Sequence, residues 1–348
     1  MGTLKAIEKA KGWARRYAAG LYSLAPGYLE RLRGKVAILT YHRVVSTREL
    51  EAGYVQPGMY VAAETFAMQM QFLKQNFSVI ALGDLLRLWS KGGWDAGRRY
   101  CVVTFDDGWL DNYLYALPVL KGLKLPATVF LPTEFVGTDR WYWPDQIAWL
   151  CGHAARRSEQ RRRQAADALQ REFPWLAGTD MPAGSADADA LIERCKTQAQ
   201  DRIDALLAAW ARQLDTTLPR DRQVINWAEA QEMSAAGVSF GSHSATHRIL
   251  THLDRAEARK EIEESWATLR AKPIATVPVF CYPNGDWSAE VARLVEAAGY
   301  SAAATTEFGY EGRAPSRRFG LKRINVHDDV TRTPALFAFH LAGFNHAR

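Results

Sequence analysis

The sequence predicts an α/β protein: a (β/α) barrel of loose closure, interrupted by a mainly helical insertion and preceded by an amphipathic helix. Three observations lead to this reading. From residue 35 onward, short β-rich runs alternate with helical stretches, as parallel strands joined by crossover helices require. Several of those runs end in clusters of polar, chemically capable residues, the arrangement found where barrel strands meet their C-terminal loops. About residues 141–225 break the rhythm and contain no convincing strand. The 348 residues, 48% hydrophobic and 24% charged, suit one large domain or two smaller ones and exclude disordered and fibrous classes.

In chain order, Leu4, Ile7, Lys11, Ala14, Ala18 and Leu21 mark a mostly apolar helical stripe, joined by Trp13 and Tyr17, and Pro26–Gly27 end it. Strands are expected at Val36–Tyr41, Phe77–Leu82, Tyr100–Phe105, Ala127–Leu131, Val238–Gly241, Val277–Cys281, Tyr300–Thr305 and Leu321–Val326. Glu64–Lys74, Asn112–Leu123, Arg255–Arg270 and Ala289–Ala298 read as amphipathic helices between them. In the insertion, Arg156, Arg157, Arg161, Arg162 and Arg163 read as a solvated helix face, and Pro182–Gly184–Ser185 as a loose segment. Leu191, Cys195, Ala199, Ile203, Leu206, Trp210 and Leu214 predict one long helix there.

The formal net charge of +6 is concentrated at the start of the chain. Residues 1–35 hold eight basic residues, Lys5, Lys9, Lys11, Arg15, Arg16, Arg31, Arg33 and Lys35, against Glu8 and Glu30. Such a segment suits a local contact with an anionic surface better than a nucleic-acid interface. A basic amphipathic helix bearing Trp and Tyr can lie in a membrane interface, or pack on its own domain or a second subunit; the oligomeric state is open. Cys101, Cys151, Cys195 and Cys281 show no metal or disulfide spacing and read as free thiols of a reducing compartment. Charges interrupt the early apolar residues, so no secretory signal is read, and no run reaches the ~18 apolar residues of a transmembrane helix. A cytoplasmic location follows as the expectation, with peripheral contact at the inner membrane face.

Three strand ends carry chemistry. Tyr100–Phe105 delivers Asp106 and Asp107, then Gly108; adjacent carboxylates after a buried strand are costly unless a positive charge lies between them. A lone Asp-Asp-Gly would be only a turn. The run Gly237–Ser242 ends in His243 and His247, four residues apart. With one carboxylate these imidazoles make three protein ligands and leave coordination positions open for water and substrate. The third run ends in Tyr282-Pro283-Asn284-Gly285, a β-turn whose backbone N–H could help hold an oxyanion beside the metal.

Thr104-Phe105-Asp106-Asp107-Gly108, His243-Ser244-x-x-His247 and Phe280-x-Tyr282-Pro283-x-Gly285 resemble the first three motifs of the polysaccharide deacetylase (NodB-homology) family, in order over roughly residues 35–330. Thr40-Tyr41-His42-Arg43-Val44 is most similar to the branch of bacterial poly-N-acetylglucosamine and exopolysaccharide deacetylases. The resemblance implies a distorted (β/α)7 barrel over residues 35–348, with residues 1–34 as the basic helix. It also implies metal-dependent hydrolytic N-deacetylation of an amino sugar. By the resemblance Asp106 is the general base, and Asp107, His243 and His247 are the metal ligands. Zinc suits that set, with Co²⁺, Ni²⁺ and Mn²⁺ as alternatives.

The late Leu-x-His motif that supplies the acid in many relatives is missing; the strand reads Leu321-Lys322-Arg323-Ile324-Asn325-Val326-His327. His42, at the end of the first strand, and His327 compete for that role, with His42 favoured by strand-end geometry; a structural role for His42 is the alternative. Arg323 resembles the arginine that orients the base. Tyr282 and Pro283 resemble the third motif's contribution to catalysis and substrate binding. Of the 12 Trp residues, Trp109, Trp141, Trp143 and Trp287 are candidates to stack on sugar, and Trp141-Tyr142-Trp143 at the start of the insertion would make it a cap over the barrel mouth. The substrate is expected on a polymer or on a lipid or nucleotide carrier. An O-acetyl esterase, a deformylase and a catalytically silent carbohydrate-binding protein are the alternatives.

Overall fold

Parallel strands form the framework: β1 (Val36–Tyr41), β2 (Arg43–Val45), β3 (Tyr60–Ala62), β4 (Ser78–Val79), β5 (Tyr100–Phe105), β6 (Ala127–Leu131), β7 (Val238–Ser242), β8 (Thr276–Cys281), β9 (Ala302–Phe308) and β10 (Leu321–Asn325). This computed structural model describes residues 2–52, 54–179, 184 and 188–344, without the side chains of residues 2–11 and 52. Pro182 and Ser185 of the predicted loose segment lie outside the described residues.

Seven strands close a ring in the order β1, β10, β9, β8, β7, β6, β5, and β5 returns to β1 with Val36 opposite Tyr100 and Tyr41 opposite Phe105. The chain therefore adopts the (β/α)7 barrel. Short β4 pairs with β5 at Tyr100–Cys101, and β6 takes the same edge from Thr104. Every residue of β1, β5 and β6 is buried, because one strand face lines the barrel and the other lies under helices. The period of two is explicit in β8. Val277, Val279 and Cys281 join Val36, Ile38 and Val102 in one cluster, whereas Phe280 packs with Ile262, Leu294 and Val295 from flanking helices. Gly241 in β7 permits close approach: an added Cβ would lie 2.6 Å from the Phe130 ring and 2.8 Å from Val279 O.

The sequence expectations meet the structure with some shifts. Phe77–Leu82 is strand only at Ser78–Val79, because Leu82 opens a helix, Leu82–Lys91, that packs Leu82 and Leu85 onto the barrel core. The two short strands β2 and β3 were not anticipated. Arg255–Arg270 is helical throughout, started by Asp254, whose side chain accepts from Glu257 N at 2.8 Å.

Two compact units emerge. The barrel unit comprises Met1–Thr47, Pro57–Val136 and Val224–Arg348; the other comprises Arg48–Gln56 and Gly137–Gln223. In the second unit the helices Trp143–Ala155, Glu159–Glu172, Ala188–Cys195 and Gln200–Gln213 surround their own core of Ile147, Leu150, Leu169, Leu191, Leu206 and Trp210. The long helix expected across Leu191–Leu214 is instead two. Thr197 Oγ1 donates back to Arg194 O at 2.8 Å, and Ala199 is extended (φ −68°, ψ 150°), so the helix ends and restarts while both halves keep their apolar face on the core.

Candidate active site

Two chain segments far apart in sequence converge at the C-terminal ends of β5 and β7. Asp107, two residues past the end of β5, takes φ 71°, and Gly108 follows at φ 69°, where any added Cβ would collide with the Leu131 side chain. This tight reversal presents Asp107 Oδ1 to His247 Nε2 at 3.3 Å and to His243 Nε2 at 3.4 Å. His247 is itself left-handed at φ 61°, as is Ser244 at φ 65°. Single-turn helical geometry therefore does not bring the imidazoles together; an irregular loop does.

That loop is held from behind. Glu261, on helix Arg255–Arg270 and 7% exposed, accepts from Ala245 N at 3.0 Å and Thr246 N at 2.8 Å, and also binds the Thr246 hydroxyl. Ser244 Oγ accepts from His247 N at 2.9 Å. His243 Nδ1 lies 2.7 Å from Cys281 O. A carbonyl can only accept, so Nδ1 carries a proton there and Nε2 is the nitrogen turned toward Asp107.

Asp106, the residue before Asp107, is buried as well. Arg323, 1% exposed, forks onto it, with NH1 to Oδ1 at 2.8 Å and NH2 to Oδ2 at 2.7 Å. Arg323 Nε donates to Thr305 O at 2.7 Å, and NH2 approaches Cys281 Sγ at 3.1 Å. Burial would raise the Asp106 carboxyl, but the Arg323 charge and hydrogen bonds bring it below its ordinary value. Burial acts likewise on Asp107, and hydrogen bonds from His243 and His247 hold it well below the usual carboxylate range. His42 Nε2 sits 4.0 Å from Asp106 Oδ2, and burial lowers its imidazole pKa against the pull of Asp107 and Asp106. Its Nδ1 is buried and makes no hydrogen bond among the described residues. Asn112 Nδ2 fixes the His42 carbonyl at 2.8 Å.

Asp106, Asp107, His243, His247, Arg323 and His42 are thus brought together. His327 is placed differently: its Nδ1 is 3.1 Å from Asp329 Oδ2, beyond the end of β10. Trp109 is not an open sugar platform. It is 4% exposed, its Nε1 donates to Asp107 Oδ2 at 3.0 Å, and its ring face lies under Arg43 at 4.5 Å. Tyr282 donates its N–H to Ala304 O at 3.1 Å and its hydroxyl to Phe319 O at 3.1 Å. Pro283 is buried at the head of the turn Pro283–Gly285. Trp287 stacks on Tyr282 with 6.3 Å between ring centroids, and Arg317 lies over it.

Trp141 and Trp143 belong to the helical unit. There Trp141 Nε1 donates to Asp221 O at 2.7 Å, Trp143 packs against the core, and Tyr142 is 4% exposed. Of the three, only Tyr142 is buried, and Trp141 and Trp143 remain partly exposed. Glu261, Asn112 and Cys281 were not singled out from sequence. Glu261 stands in Glu261-Ile262-Glu263-Glu264, where nothing local distinguishes it from its exposed neighbours.

One carboxylate oxygen and two imidazole Nε2 atoms converge here, and the ligand atoms all fall within 4.8 Å of one another. The donor set fits a divalent metal with Asp107, His243 and His247 as ligands. A seven-stranded barrel carrying this centre beside an arginine-held carboxylate defines the class. The family model "Polysaccharide deacetylase" matches residues 94–168 and 193–303, more than half of the chain, which belongs to that family.

Among curated proteins, YxkH of Bacillus subtilis, described as a polysaccharide deacetylase, is 27% identical over 119 residues, 34% of this chain and 39% of YxkH. The match therefore spans well under half of that relative's length. Among solved structures, the Streptococcus pyogenes deacetylase PplD in complex with acetate matches with TM-score 0.56 and 17% identity, covering 89% of this chain and 99% of PplD. IcaB from Ammonifex degensii matches with TM-score 0.52 and 17% identity, covering 88% and 97%. Both show the same fold.

Proposed function

We propose that this protein hydrolyses the N-acetyl amide of an amino sugar, releasing acetate and leaving a primary amine. The observation that carries the reading is the pairing of two unlike carboxylates. Asp107 faces two imidazole Nε2 atoms, while its neighbour Asp106 is held by Arg323 and left outside the ligand set. Membership of the polysaccharide deacetylase family supports the sugar substrate. An amino sugar carried by a polymer, a lipid or a nucleotide fits equally.

A divalent ion held by Asp107, His243 and His247, Zn²⁺ by donor type with Co²⁺, Ni²⁺ or Mn²⁺ accommodated, would acidify water and polarise the acetyl carbonyl. The protein's own residues handle the protons. Asp106 is ionised at neutral pH and accepts the proton of the attacking water as the new C–O bond forms. Its depressed pKa makes it a weak resting place for that proton. His42, 4.0 Å away and neutral at rest, takes it up directly or through water and delivers it to the departing nitrogen as the C–N bond breaks. Arg323 keeps both oxygens of Asp106 in place throughout, and the Nδ1–Cys281 carbonyl bond holds His243 in the ligating tautomer.

The test offers the Zn²⁺-loaded full chain a panel of oligomer-, lipid- and nucleotide-linked N-acetyl sugars and measures acetate together with new amine. Equal release of both is expected. Asp106→Asn should keep metal and lose turnover, and His243→Ala should lose both. Acetate without amine would identify an ester substrate, and an Asp106→Asn enzyme as active as wild type would end the base assignment.

A further inference from the structure

The helix Gly2–Leu24 has two different faces over its described side chains. One is seated on the barrel unit against the helix Pro334–Leu341: Ala19 is 1% exposed, and the Tyr22 ring meets Phe339 at 5.8 Å and Phe344 at 5.0 Å. The other points outward. Trp13, Tyr17, Leu21 and Leu24, spaced by four, four and three residues, are 66%, 72%, 55% and 80% exposed. Spacing of that kind places them on one stripe. Among the described residues only Leu114 and Phe344 are further large hydrophobic side chains so exposed, and Phe344 adjoins this helix through Tyr22. The molecule's outward apolar surface is therefore concentrated here, where contiguous patches mark an interaction site.

Charge identifies the occupant. Arg16, Arg31 and Arg33 are exposed around this helix and the turn that follows it, in a segment that holds eight basic residues against two acidic ones. A second copy of the chain would bring two such segments together and meet repulsion. An anionic lipid surface neutralises them and accepts Trp and Tyr at the depth of its headgroups. No helix among the described residues is long and apolar enough to cross a membrane, so this one would lie along the surface.

We infer that the outward face of Gly2–Leu24 docks this protein reversibly on an anionic lipid bilayer. It does so through Trp13, Tyr17, Leu21 and Leu24, with the surrounding arginines facing the headgroups. None of these residues belongs to the candidate active site, so the inference is independent of the catalytic reading.

The experiment is cosedimentation of the full chain with extruded phosphatidylcholine vesicles, with or without about 30% phosphatidylglycerol. Binding is expected to the anionic vesicles only, falling at least tenfold in about 0.5 M salt. Trp13→Glu/Tyr17→Glu should weaken it by about a hundredfold or more, since each substitution removes apolar burial and adds repulsion. Thermal unfolding and the rate on a soluble acetylated substrate should match wild type, which separates lost docking from lost folding or catalysis. Three results would overturn the inference: no binding, equal binding to both vesicles, or full binding by the double variant. So would a concentration-dependent dimer in sedimentation equilibrium that the same substitutions dissolve, since the stripe would then belong to a second copy.

Discussion

Replacing Arg323 by Met strips a buried carboxylate of the guanidinium that forks onto it, and the consequence can be sized. Both charges are essentially inaccessible, at 1% and 3% side-chain exposure, and the guanidinium makes two contacts to Asp106 at 2.7 and 2.8 Å. Removing one member of such a pair costs about 3–5 kcal/mol, because the survivor is left charged and undersolvated. The barrel unit has about 250 residues, for which each kcal/mol moves the midpoint by about 2–4 °C. A fall of roughly 6–20 °C is therefore expected for Arg323→Met by circular dichroism. The measurement belongs in chelator, so that metal affinity does not enter the midpoint.

The companion variant Arg323→Met/Asp106→Leu removes both charges and should recover most of the loss, since an apolar pair in the same space is close to neutral for stability. It should remain inactive. Arg323→Lys keeps the charge without the fork and should fall between in stability, with kcat/KM down on the order of a hundredfold through misplacement of the base. If Arg323→Met melted within about 4 °C of wild type, or if the double variant were no more stable than the single, the buried pair would not be what holds Asp106.

Two further outcomes follow from the same geometry. His42→Ala should lose activity on an N-acetyl amide by about two to four orders of magnitude while sparing an activated aryl acetate, whose leaving group needs no proton; His327→Ala should leave both rates near wild type, and the reverse pattern would transfer the acid role. Glu261→Ala should weaken metal binding, read by calorimetry, with a drop in unfolding midpoint, because it frees two backbone N–H groups behind the His243–His247 loop. Recovery of metal affinity in Glu261→Gln, which keeps an acceptor, is expected, and a Glu261→Ala protein with unaltered affinity would reduce that residue to a scaffold role.

Much of the fold was legible because its signals are local. Eight apolar runs announced the eight strands now seen as β1 and β4–β10, since a strand buried on both faces needs a continuous apolar run wherever it occurs. Asp106-Asp107-Gly108 after such a run, and His243 with His247 after another, were recognisable for the same reason: a strand end determines where its next residues emerge. The reading of Arg323 relied on a resemblance, and the structure places its guanidinium on Asp106.

Local signals along the chain set the inventory: which strands exist, and which ionisable groups leave their ends. Only tertiary structure decided partners. Trp109, read as a platform for sugar, is a buried donor to Asp107, and Trp143 helps form a separate helical core. Glu261 is indistinguishable along the chain from Glu263 and Glu264, yet it alone of the three is buried, beneath the histidine loop. Ring closure between β1 and β5, and the left-handed turns at Asp107, Ser244 and His247, depend on contacts across long stretches of chain. Periodicity and propensity report how a segment relates to its own neighbours; hydrogen bonds and burial between distant segments exist only once the barrel has closed.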